Sequence, residues 1–355
     1  MSIAWHLAKS GHEVGLYEAD EVLSKTSSAS SKMLHGGIRY LETGHIGLVY
    51  QALKDRHWWI THAGAYVTVQ PFYVPIYRDS PRPLWKMFAG VKLYQWLAGA
   101  RSLGSSRLIT RQKIEGLGLG LKREGLKGMV SYVDAQMDED GLGHWVQEQA
   151  LAAGVSIFEH SPVKRITRDA CISLVRGDVV EAELCVNATG PWVNEMLEVS
   201  EIASKFGVEL VRGSHLVIDT SWQHAFLLQV KTDDRVVFAL PYDGKLLLGT
   251  TEVVQDRATA PECSDAETDY LIDAFNSYFE RQISTRDVIS KMSGLRPIIK
   301  TKNSRGDPSR ASRESAVEFN HRLINVWGGK WTSAISLADK LCQKISKEFV
   351  FKARK

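Results

Sequence analysis

Apolar residues recur along this chain with two periods, one helical and one alternating. Segments of the two kinds follow each other from the first residues onward. The apolar positions of residues 2–10 share one face of a predicted helix, and Gly11 is placed to cap its C-terminus. Residues 13–18 then predict a short strand that ends in Glu18. A helix, a glycine, a strand and a terminal acid are typical of the second half of a βαβ unit that binds a dinucleotide.

The middle of the chain favours strands. Residues 65–78 alternate as a strand does, and a helix over residues 140–154 precedes a run of short strands. Residues 208–254 are rich in strand-forming side chains. Within that range two apolar runs flank Asp243-Gly244, a pair that is typical of a two-residue hairpin turn.

Two more helices are predicted near the C-terminus. Ser264 followed by Glu267 is a capping-box pattern and opens the first of them. The second follows Gly328-Gly329-Lys330 and repeats its apolar residues at helical spacing. No internal repeat and no low-complexity linker interrupts the sequence, which indicates two domains joined by several chain crossings.

We therefore predict an α/β protein in which a Rossmann-like domain is interleaved with a substrate domain built on a mixed or antiparallel sheet. The first domain is expected at residues 1–64, 135–206 and 290–355, and the second at residues 65–134 and 207–289. The acid that ends the second strand of such a unit lies about 20 residues after the first glycine of its phosphate loop. Counting back from Glu18 places that glycine before Met1, so the first strand and the glycine-rich loop are expected to be absent.

Composition narrows the class of protein. The chain has 355 residues, of which 44% are hydrophobic and 24% charged, as in ordinary globular proteins. Its formal net charge of +3 is too small to indicate a nucleic-acid partner and is compatible with a small anionic substrate. The four cysteines form no C-x-x-C pair, so no metal site is expected. With neither a signal peptide nor a long apolar run in the sequence, the expected location is the cytoplasm.

Residues 84–97 carry two tryptophans and two lysines at helical spacing. The pattern favours a helix that packs between domains. The alternative is a helix that lies on the inner face of a membrane, because tryptophan and lysine are both common at such surfaces.

One segment carries the most specific chemistry. Residues 26–42 read T-S-S-A-S-S-K-M-L-H-G-G-I-R-Y-L-E. Small hydroxyl donors and a lysine suit a pyrophosphate and a ribose, and paired glycines allow the backbone to approach a flat ring. The segment resembles the corresponding stretch of FAD-dependent glycerol-3-phosphate dehydrogenases, within the wider D-amino-acid-oxidase-like flavoproteins.

Further segments resemble that family in the same order along the chain. They are N-A-T-G-P-W at 187–192, R-G-S-H at 212–215, L-G-T-T-E at 248–252, S-G-L-R-P at 293–297, S-R-E at 312–314 and W-G-G-K-W-T at 327–332. The likeness extends from about residue 2 to residue 347. It departs in the missing N-terminal strand, in the end of the chain at Lys355 where many members continue into a helical domain, and in Trp331.

The resemblance implies FAD as cofactor and a set of residues that hold it. The implied cofactor residues are Glu18, Thr26, Ser27, Ser31, Lys32, Leu34, His35, Gly36, Gly37, Gly190, Gly328, Gly329, Lys330 and Thr332.

It also implies a small phosphorylated alcohol as substrate. Arg39, Tyr40 and Arg313 would bind it, with Arg310 a competitor for the place of Arg313, and His215 and Arg296 would be the catalytic pair. His215 would accept the hydroxyl proton with a pKa near the working pH, while hydride passes to flavin N5. Glycerol-3-phosphate would give dihydroxyacetone phosphate, and the electrons would leave to a quinone or to oxygen.

Two other functions fit the same residues. Arg39 and Arg296 could hold a carboxylate, which would make the chain an oxidase or dehydrogenase of an amino or 2-hydroxy acid. A chain without the phosphate loop could instead be a non-catalytic paralogue, since the pyrophosphate would lose its backbone N–H donors.

Overall fold

The computed structural model describes residues 1–301 and 315–349. Its α-helices are α1 (Ser2–Lys9), α2 (Ile46–His62), α3 (Leu84–Ala98), α4 (Arg111–Gly116), α5 (Glu139–Ala152), α6 (Val193–Val199), α7 (Asp265–Asn276) and α8 (Ala334–Glu348). None of the helices in this described part combines the length and apolar character that crossing a bilayer requires.

Strands dominate the middle of the chain. They are β1 (Gly15–Tyr17), β2 (Met33–Leu34), β3 (Val67–Tyr77), β4 (Arg107–Ile109), β5 (Leu126–Met137), β6 (Ser156–Phe158), β7 (Val163–Ile166), β8 (Cys171–Leu174), β9 (Val179–Glu181), β10 (Cys185–Asn187), β11 (Phe206–Ile218), β12 (Ala225–Gln229), β13 (Val236–Tyr242), β14 (Lys245–Gly249), β15 (Val253–Gln255), β16 (Val288–Thr301), β17 (Ala316–Asn320) and β18 (Leu323–Trp327).

The predicted Rossmann-like domain contains two pairs of parallel strands. β1 pairs in parallel with β6, and β10 pairs in parallel with β18. Helix α1 packs against α5 and α8, so the first and last helices of the described chain share one layer. Parallel strands covered by helices are the arrangement of a Rossmann-like domain, and the predicted α/β class is confirmed.

A large mixed sheet forms the second part. Ten strands join it, in the order β15, β11, β14, β13, β12, β3, β5, β2, with β16 paired to β11 and β4 to β5. The pairing of β12 with β3 is parallel, and the neighbouring pairings of β11 through β14 are antiparallel. This sheet matches the predicted mixed substrate domain. β5 and β16 each run across a predicted domain boundary, and the division itself remains a prediction.

Local patterns translate into local structure where a strong signal exists. Asp243 and Gly244 both have positive φ and join β13 to β14 with Tyr242 opposite Lys245, as in a type I′ hairpin. Ser264 and Glu267 form both hydrogen bonds of a capping box at the start of α7. The final predicted helix is present as α8, although a 3₁₀ turn over Trp331–Ser333 precedes it.

The segment over residues 24–42, which carries the first family-like motif, has defined local structure. It contains 3₁₀ turns at Thr26–Ser28 and Ile38–Leu41, with β2 between them, and the helix that follows begins only at Ile46. β2 pairs with the end of β5, which anchors this segment to the large sheet.

Candidate active site

Three adjacent strands bring His215 and Arg296 to one face of the large sheet. Arg296 on β16 lies opposite Val211 on β11, and His215 lies two residues beyond Gly213 on the same strand. Because side chains alternate between the faces of a strand, residues 211, 213 and 215 point the same way as Arg296. Sheet register therefore places the predicted catalytic pair on the same face, four positions apart along β11, and the Arg296 guanidinium lies over Gly213 between them.

Glycines make room for both side chains. A Cβ atom at Gly213 would overlap the Arg296 guanidinium, and one at Gly249 of β14 would overlap the His215 ring. Gly249 is the direct partner of His215 in the β11–β14 ladder. At these two positions, glycine is required by close approach of the catalytic side chains.

His215 is 2% exposed, and its Nε2 lies 2.9 Å from Ser31 Oγ. Its Nδ1 is buried and has no hydrogen-bond partner among the described residues. Burial lowers the pKa of His215 from 6.5 to about 3, with Arg296 and Lys32 acting in the same direction. The expectation of a pKa near the working pH is therefore wrong for this environment, because two cations and loss of water all oppose a charged imidazole.

Arg296 is held by the segment between β14 and β15. Its Nη2 donates to Thr250 Oγ1 at 2.7 Å, and its Nη1 lies 3.5 Å from Glu252 Oε1. About a third of its side chain is exposed. One side of the guanidinium is thus oriented by Thr250 and Glu252.

The loop at residues 26–31 lies across β16 and joins this pair. A Cβ atom at Gly294 would approach the Ala29 carbonyl oxygen to 2.8 Å, so glycine allows the loop to lie on the strand. Trp331 Nε1 donates to the Ser27 carbonyl oxygen at 2.9 Å. The departure from the family at Trp331 thus ties the first motif of the chain to the last.

Lys32 does not project into open space. Its ammonium is buried and pairs with Glu139 at the start of α5, and it donates to the Ser28 carbonyl oxygen at 3.1 Å. Burial lowers the pKa of Lys32 to about 8, against the opposing effect of Asp138 and other acids. Lys32 can reach a cofactor phosphate only by leaving Glu139, and its predicted role stays a prediction.

His35, Gly36 and Gly37 form a tight turn. The Gly37 N–H donates to His35 Nδ1 at 2.9 Å, and the Gly36 N–H donates to Tyr94 Oη at 2.7 Å. Burial, with Lys330, Arg56 and Arg39 acting in the same direction, lowers the pKa of His35 to about 3. The ring is neutral at pH 7, and its Nδ1 acts as an acceptor.

The predicted substrate residue Tyr40 meets the C-terminal motif. Lys330 Nζ lies 4.9 Å from the centre of the Tyr40 ring, within cation–π range. Arg39, next to Tyr40, lines a cavity of about 230 Å³ between the 3₁₀ turn at Ile38–Leu41 and helix α3. Apolar side chains such as Leu93 form most of its wall.

The remaining predicted cofactor residues lie at the carboxyl ends of parallel strands. Glu18 follows β1, Gly190 follows β10, and Gly328-Gly329 follow β18. Gly190, Gly328 and Gly329 all have positive φ, and a Cβ atom at Gly190 would meet nothing within 4 Å. The carboxyl edge of a parallel sheet is where doubly wound folds bind nucleotides.

Some predicted residues serve the fold. Leu34 is completely buried in the core, and Thr332 is buried with its carbonyl oxygen accepting from Trp59 Nε1 at 3.0 Å. Thr26 begins the 3₁₀ turn of the first motif. Arg313, like its competitor Arg310, lies outside the described residues.

Sequence reasoning missed the groups that support the catalytic pair. Thr250 and Glu252 orient Arg296, while Ser214 and Thr251 connect to Glu267. The sequence did contain a signal for Glu267, its capping-box spacing, but that pattern predicts a helix start and no contact with a distant strand.

Comparison with known proteins agrees with these motifs. Residues 1–335 match the family model described as DAO, FAD dependent oxidoreductase. D-erythritol 1-phosphate dehydrogenase of Brucella abortus is 32% identical over 355 residues, covering 95% of this chain and 70% of that protein. Aerobic glycerol-3-phosphate dehydrogenase of Staphylococcus epidermidis is 29% identical over 370 residues, covering 99% of this chain and 66% of that protein.

A solved structure supports the same fold. The glycerol-3-phosphate dehydrogenase from Bacillus halodurans complexed with FAD superposes with a TM-score of 0.77 at 23% identity, covering 98% of this chain and 62% of that one. The chain thus spans somewhat less than two thirds of that protein. With the family model matching nearly its whole length, the chain belongs to the DAO family of FAD-dependent oxidoreductases.

Proposed function

We propose that this protein oxidises a small phosphorylated secondary alcohol in an FAD-dependent reaction, with glycerol-3-phosphate as substrate and dihydroxyacetone phosphate as product. The observation that carries the proposal is the pairing of a buried, neutral His215 with a partly exposed Arg296 on one face of the sheet, next to Ser31. A base on the same face as a guanidinium that can bind an anion suits an alcohol that also bears a phosphate. The phosphorylated substrates in the names of the relatives support the same class.

The residues present fit FAD. Positive-φ glycines at Gly190 and Gly328-Gly329 leave the backbone open at the ends of two neighbouring parallel strands. Ser27 and Ser31 bring hydroxyl groups to the opposite side, where the Trp331–Ser27 hydrogen bond closes the two motifs onto each other. These residues would hold the cofactor together with Glu18 and Lys330. FAD, when bound, supplies a two-electron acceptor for the hydride that leaves the alcohol carbon.

Arginine side chains would bind the phosphate. Arg296 is already oriented by Thr250 and Glu252, which reduces the entropy lost when it grips an anion. Arg39 would approach from the turn that also carries Tyr40. The third predicted arginine, Arg313, lies outside the described residues. Guanidinium groups match phosphate oxygens with paired hydrogen bonds, so they fix the orientation of the substrate as well as its affinity.

His215 would take the hydroxyl proton as the alcohol becomes a ketone. It is neutral at pH 7, so it can accept a proton, and its Nε2 already lies at hydrogen-bond distance from the Ser31 hydroxyl. A substrate hydroxyl bound at Nδ1 would satisfy an atom that has no partner among the described residues. Arg296 near the ring disfavours the imidazolium, and a phosphate on Arg296 would offset that effect.

The experiment is anaerobic stopped-flow mixing of FAD-loaded protein with glycerol-3-phosphate. Bleaching of the flavin absorbance is expected. His215→Asn should slow it by about 10²–10⁴-fold, the usual contribution of a general base. His57→Asn, which changes an exposed histidine on α2, should leave the rate unchanged. A wild-type flavin that is not bleached by glycerol-3-phosphate contradicts the substrate assignment.

An amino or 2-hydroxy acid remains the second candidate, and the position of Arg296 favours it equally because a guanidinium also pairs with a carboxylate. A panel of glycerol-3-phosphate, proline, glycine and lactate on the loaded protein separates the two. Rapid bleaching by a carboxylate substrate alone would select this alternative.

We further propose that electrons leave to an apolar acceptor of the quinone class at a membrane surface. Trp85 and Trp96 of α3 are 73% and 75% exposed. They stand eleven positions apart, about three helical turns, so they share a face. The opposite face, with Val91 and Tyr94, packs into the core. The apolar cavity beside Arg39 shares Leu93 with this helix and offers a site for the acceptor ring.

A further inference from the structure

We propose that Glu267, at the start of α7, is a positioning residue that fixes the strands carrying His215 and Arg296 in their productive arrangement. The inference rests on the proposed function for its catalytic consequence. Its structural part, that Glu267 couples the helix to these strands, stands on the contacts of the carboxylate alone.

The two carboxylate oxygens of Glu267 have different sets of partners. Oε2 accepts from the Ser264 backbone N–H at 3.0 Å and from Arg212 Nη2 at 2.8 Å. Oε1 accepts from Ser214 Oγ at 2.8 Å and from Thr251 Oγ1 at 2.7 Å. A capping box requires only the contact with Ser264, so Oε1 does something that helix capping does not explain.

The partners of Oε1 are neighbours of the catalytic pair. Ser214 directly precedes His215, and its backbone N–H donates to Thr251 Oγ1 at 2.9 Å. Thr251 directly follows Thr250, the residue that accepts from Arg296 Nη2. Glu267 is therefore separated from His215 by Ser214 alone and from Arg296 by Thr251 and Thr250, and it links β11 to the segment after β14.

The arrangement is buried and charged. Glu267 is 4% exposed, and Ser214 and Thr251 are buried beside it. Burial alone would raise the pKa of Glu267, but hydrogen bonds from Thr251, Ser264, Arg212 and Ser214 outweigh it and lower the pKa to about 2. The carboxylate is thus ionised at every physiological pH, and hydrogen bonds to a buried charge are stronger than those between neutral groups.

Ser293 extends the network to the third strand. Ser293 Oγ lies 2.8 Å from Ser214 Oγ, and Ser293 is three residues from Arg296 on β16. Because Ser214 donates its proton to Glu267, Ser293 is the donor in the second bond. All three strands that frame the site are thereby connected to one carboxylate.

The test compares three variants. Glu267→Gln keeps the size of the side chain and removes its charge and one acceptor oxygen. Thr251→Val removes the hydroxyl that links Ser214 to Glu267 and leaves the helix cap intact. Ser264→Ala weakens the cap and leaves the contacts of Oε1 with Ser214 and Thr251 in place. Each FAD-loaded protein is assayed well below its Tm for kcat and KM of flavin reduction, and each is followed by amide hydrogen exchange.

For Glu267→Gln and Thr251→Val we expect kcat/KM to fall about 10- to 100-fold, the size of effect that slight misplacement of catalytic groups produces. Ser264→Ala should lower Tm and leave both constants unchanged. Exchange in peptides spanning residues 210–218 and 247–254 should accelerate in the first two variants, while in Ser264→Ala acceleration should be confined to α7.

If kcat and KM of all three variants equal those of the wild-type protein, the catalytic consequence is overturned. Unchanged exchange in both strand peptides of Glu267→Gln would overturn the coupling itself. If glycerol-3-phosphate fails to reduce the wild-type flavin, the proposed function fails, and the exchange measurement still decides whether Glu267 couples the helix to the strands.

Discussion

The environments of His35 and His215 determine their charge. Both rings are enclosed among cations, Lys330, Arg56 and Arg39 around the first and Arg296 and Lys32 around the second. Burial in the first place, and these cations in addition, keep the two imidazoles neutral. The basic character of the site is therefore carried by arginine and lysine, and His215 is free to accept a proton.

Acid should destabilise the protein through these two histidines. In the folded state their pKa values are lowered from 6.5 to about 3, so between those values the unfolded chain binds more protons than the folded one. The free energy of unfolding consequently falls as the pH is lowered from 6.5 toward 3. Urea midpoints at pH 7, 6, 5 and 4 should decrease, and the double variant His35→Gln/His215→Asn should lose less over the same range. Parallel curves for the two proteins would contradict the neutral state of the rings.

Gly213→Ala should displace the side chain of Arg296. The new Cβ would overlap the Arg296 guanidinium and force it from Thr250 and Glu252. We expect a KM for the phosphorylated substrate raised at least about 10-fold, since misplaced binding groups carry penalties of this order. Steady-state kinetics measure the change. Gly47→Ala on α2, where an added Cβ meets nothing within 4 Å, is the matched control. A Gly213→Ala enzyme with wild-type KM would show that Arg296 does not bind substrate.

Among the elements, helix α3 departs most from an ordinary amphipathic pattern. Its inner face packs Val91, Tyr94 and Ala98 into the core, and its outer face exposes two tryptophans. Tryptophan is favoured at membrane–water boundaries because its ring is apolar and its N–H is polar. The inner face of α3 thus contributes to the core, and the membrane-surface alternative stays a prediction for its exposed face.

Removing the exposed tryptophans tests the surface role. The double variant Trp85→Ser/Trp96→Ser should bind vesicles of anionic phospholipid at least about 10-fold more weakly, because much of the apolar area available for insertion is lost. Co-sedimentation with vesicles measures the binding. Leu151→Ser, which removes an exposed apolar side chain of α5, should have no effect. Wild-type protein that stays in the supernatant would reject a membrane role for α3.

Across the whole chain, distant segments converge on the predicted cofactor site. The loop at residues 26–37 contacts the turn at 327–332 through the Trp331–Ser27 hydrogen bond, and α1 packs against α8. A ligand bound between these segments stabilises every element that it holds together. Folding and cofactor binding should therefore be coupled.

Added FAD should raise Tm in a concentration-dependent manner. A ligand at 100 times its Kd stabilises the folded state by about 2.7 kcal/mol. Circular dichroism measures the shift in Tm. Differential scanning fluorimetry also measures it if the detected fluorescence does not overlap that of the flavin. Riboflavin, which lacks the pyrophosphate and adenosine, should stabilise less at equal concentration. A Tm that is insensitive to FAD would contradict binding of the cofactor by these 355 residues.

Several features followed from short stretches of sequence. The helices α1 and α8, the hairpin at Asp243-Gly244 and the capping box of α7 all depend on residues within one or two turns of each other, so periodicity and turn chemistry suffice to predict them. The motif at residues 26–42 likewise indicated the FAD-dependent family, because its hydroxyl groups and glycines are contiguous.

Other features depend on contacts between distant residues. Three side-chain contacts join segments that no local sequence pattern relates. They are Ser31 with His215, Lys32 with Glu139, and Glu267 with Thr251. Their partners are set by strand register and by the way the first loop lies on β16, and a shift of one residue would turn every side chain to the other face. The sequence motifs by themselves therefore indicate the type of chemistry. The charge state of His215, the ion pair of Lys32 and the contacts of Glu267 are decided only by the tertiary structure, because packing brings those groups together and removes water from around them.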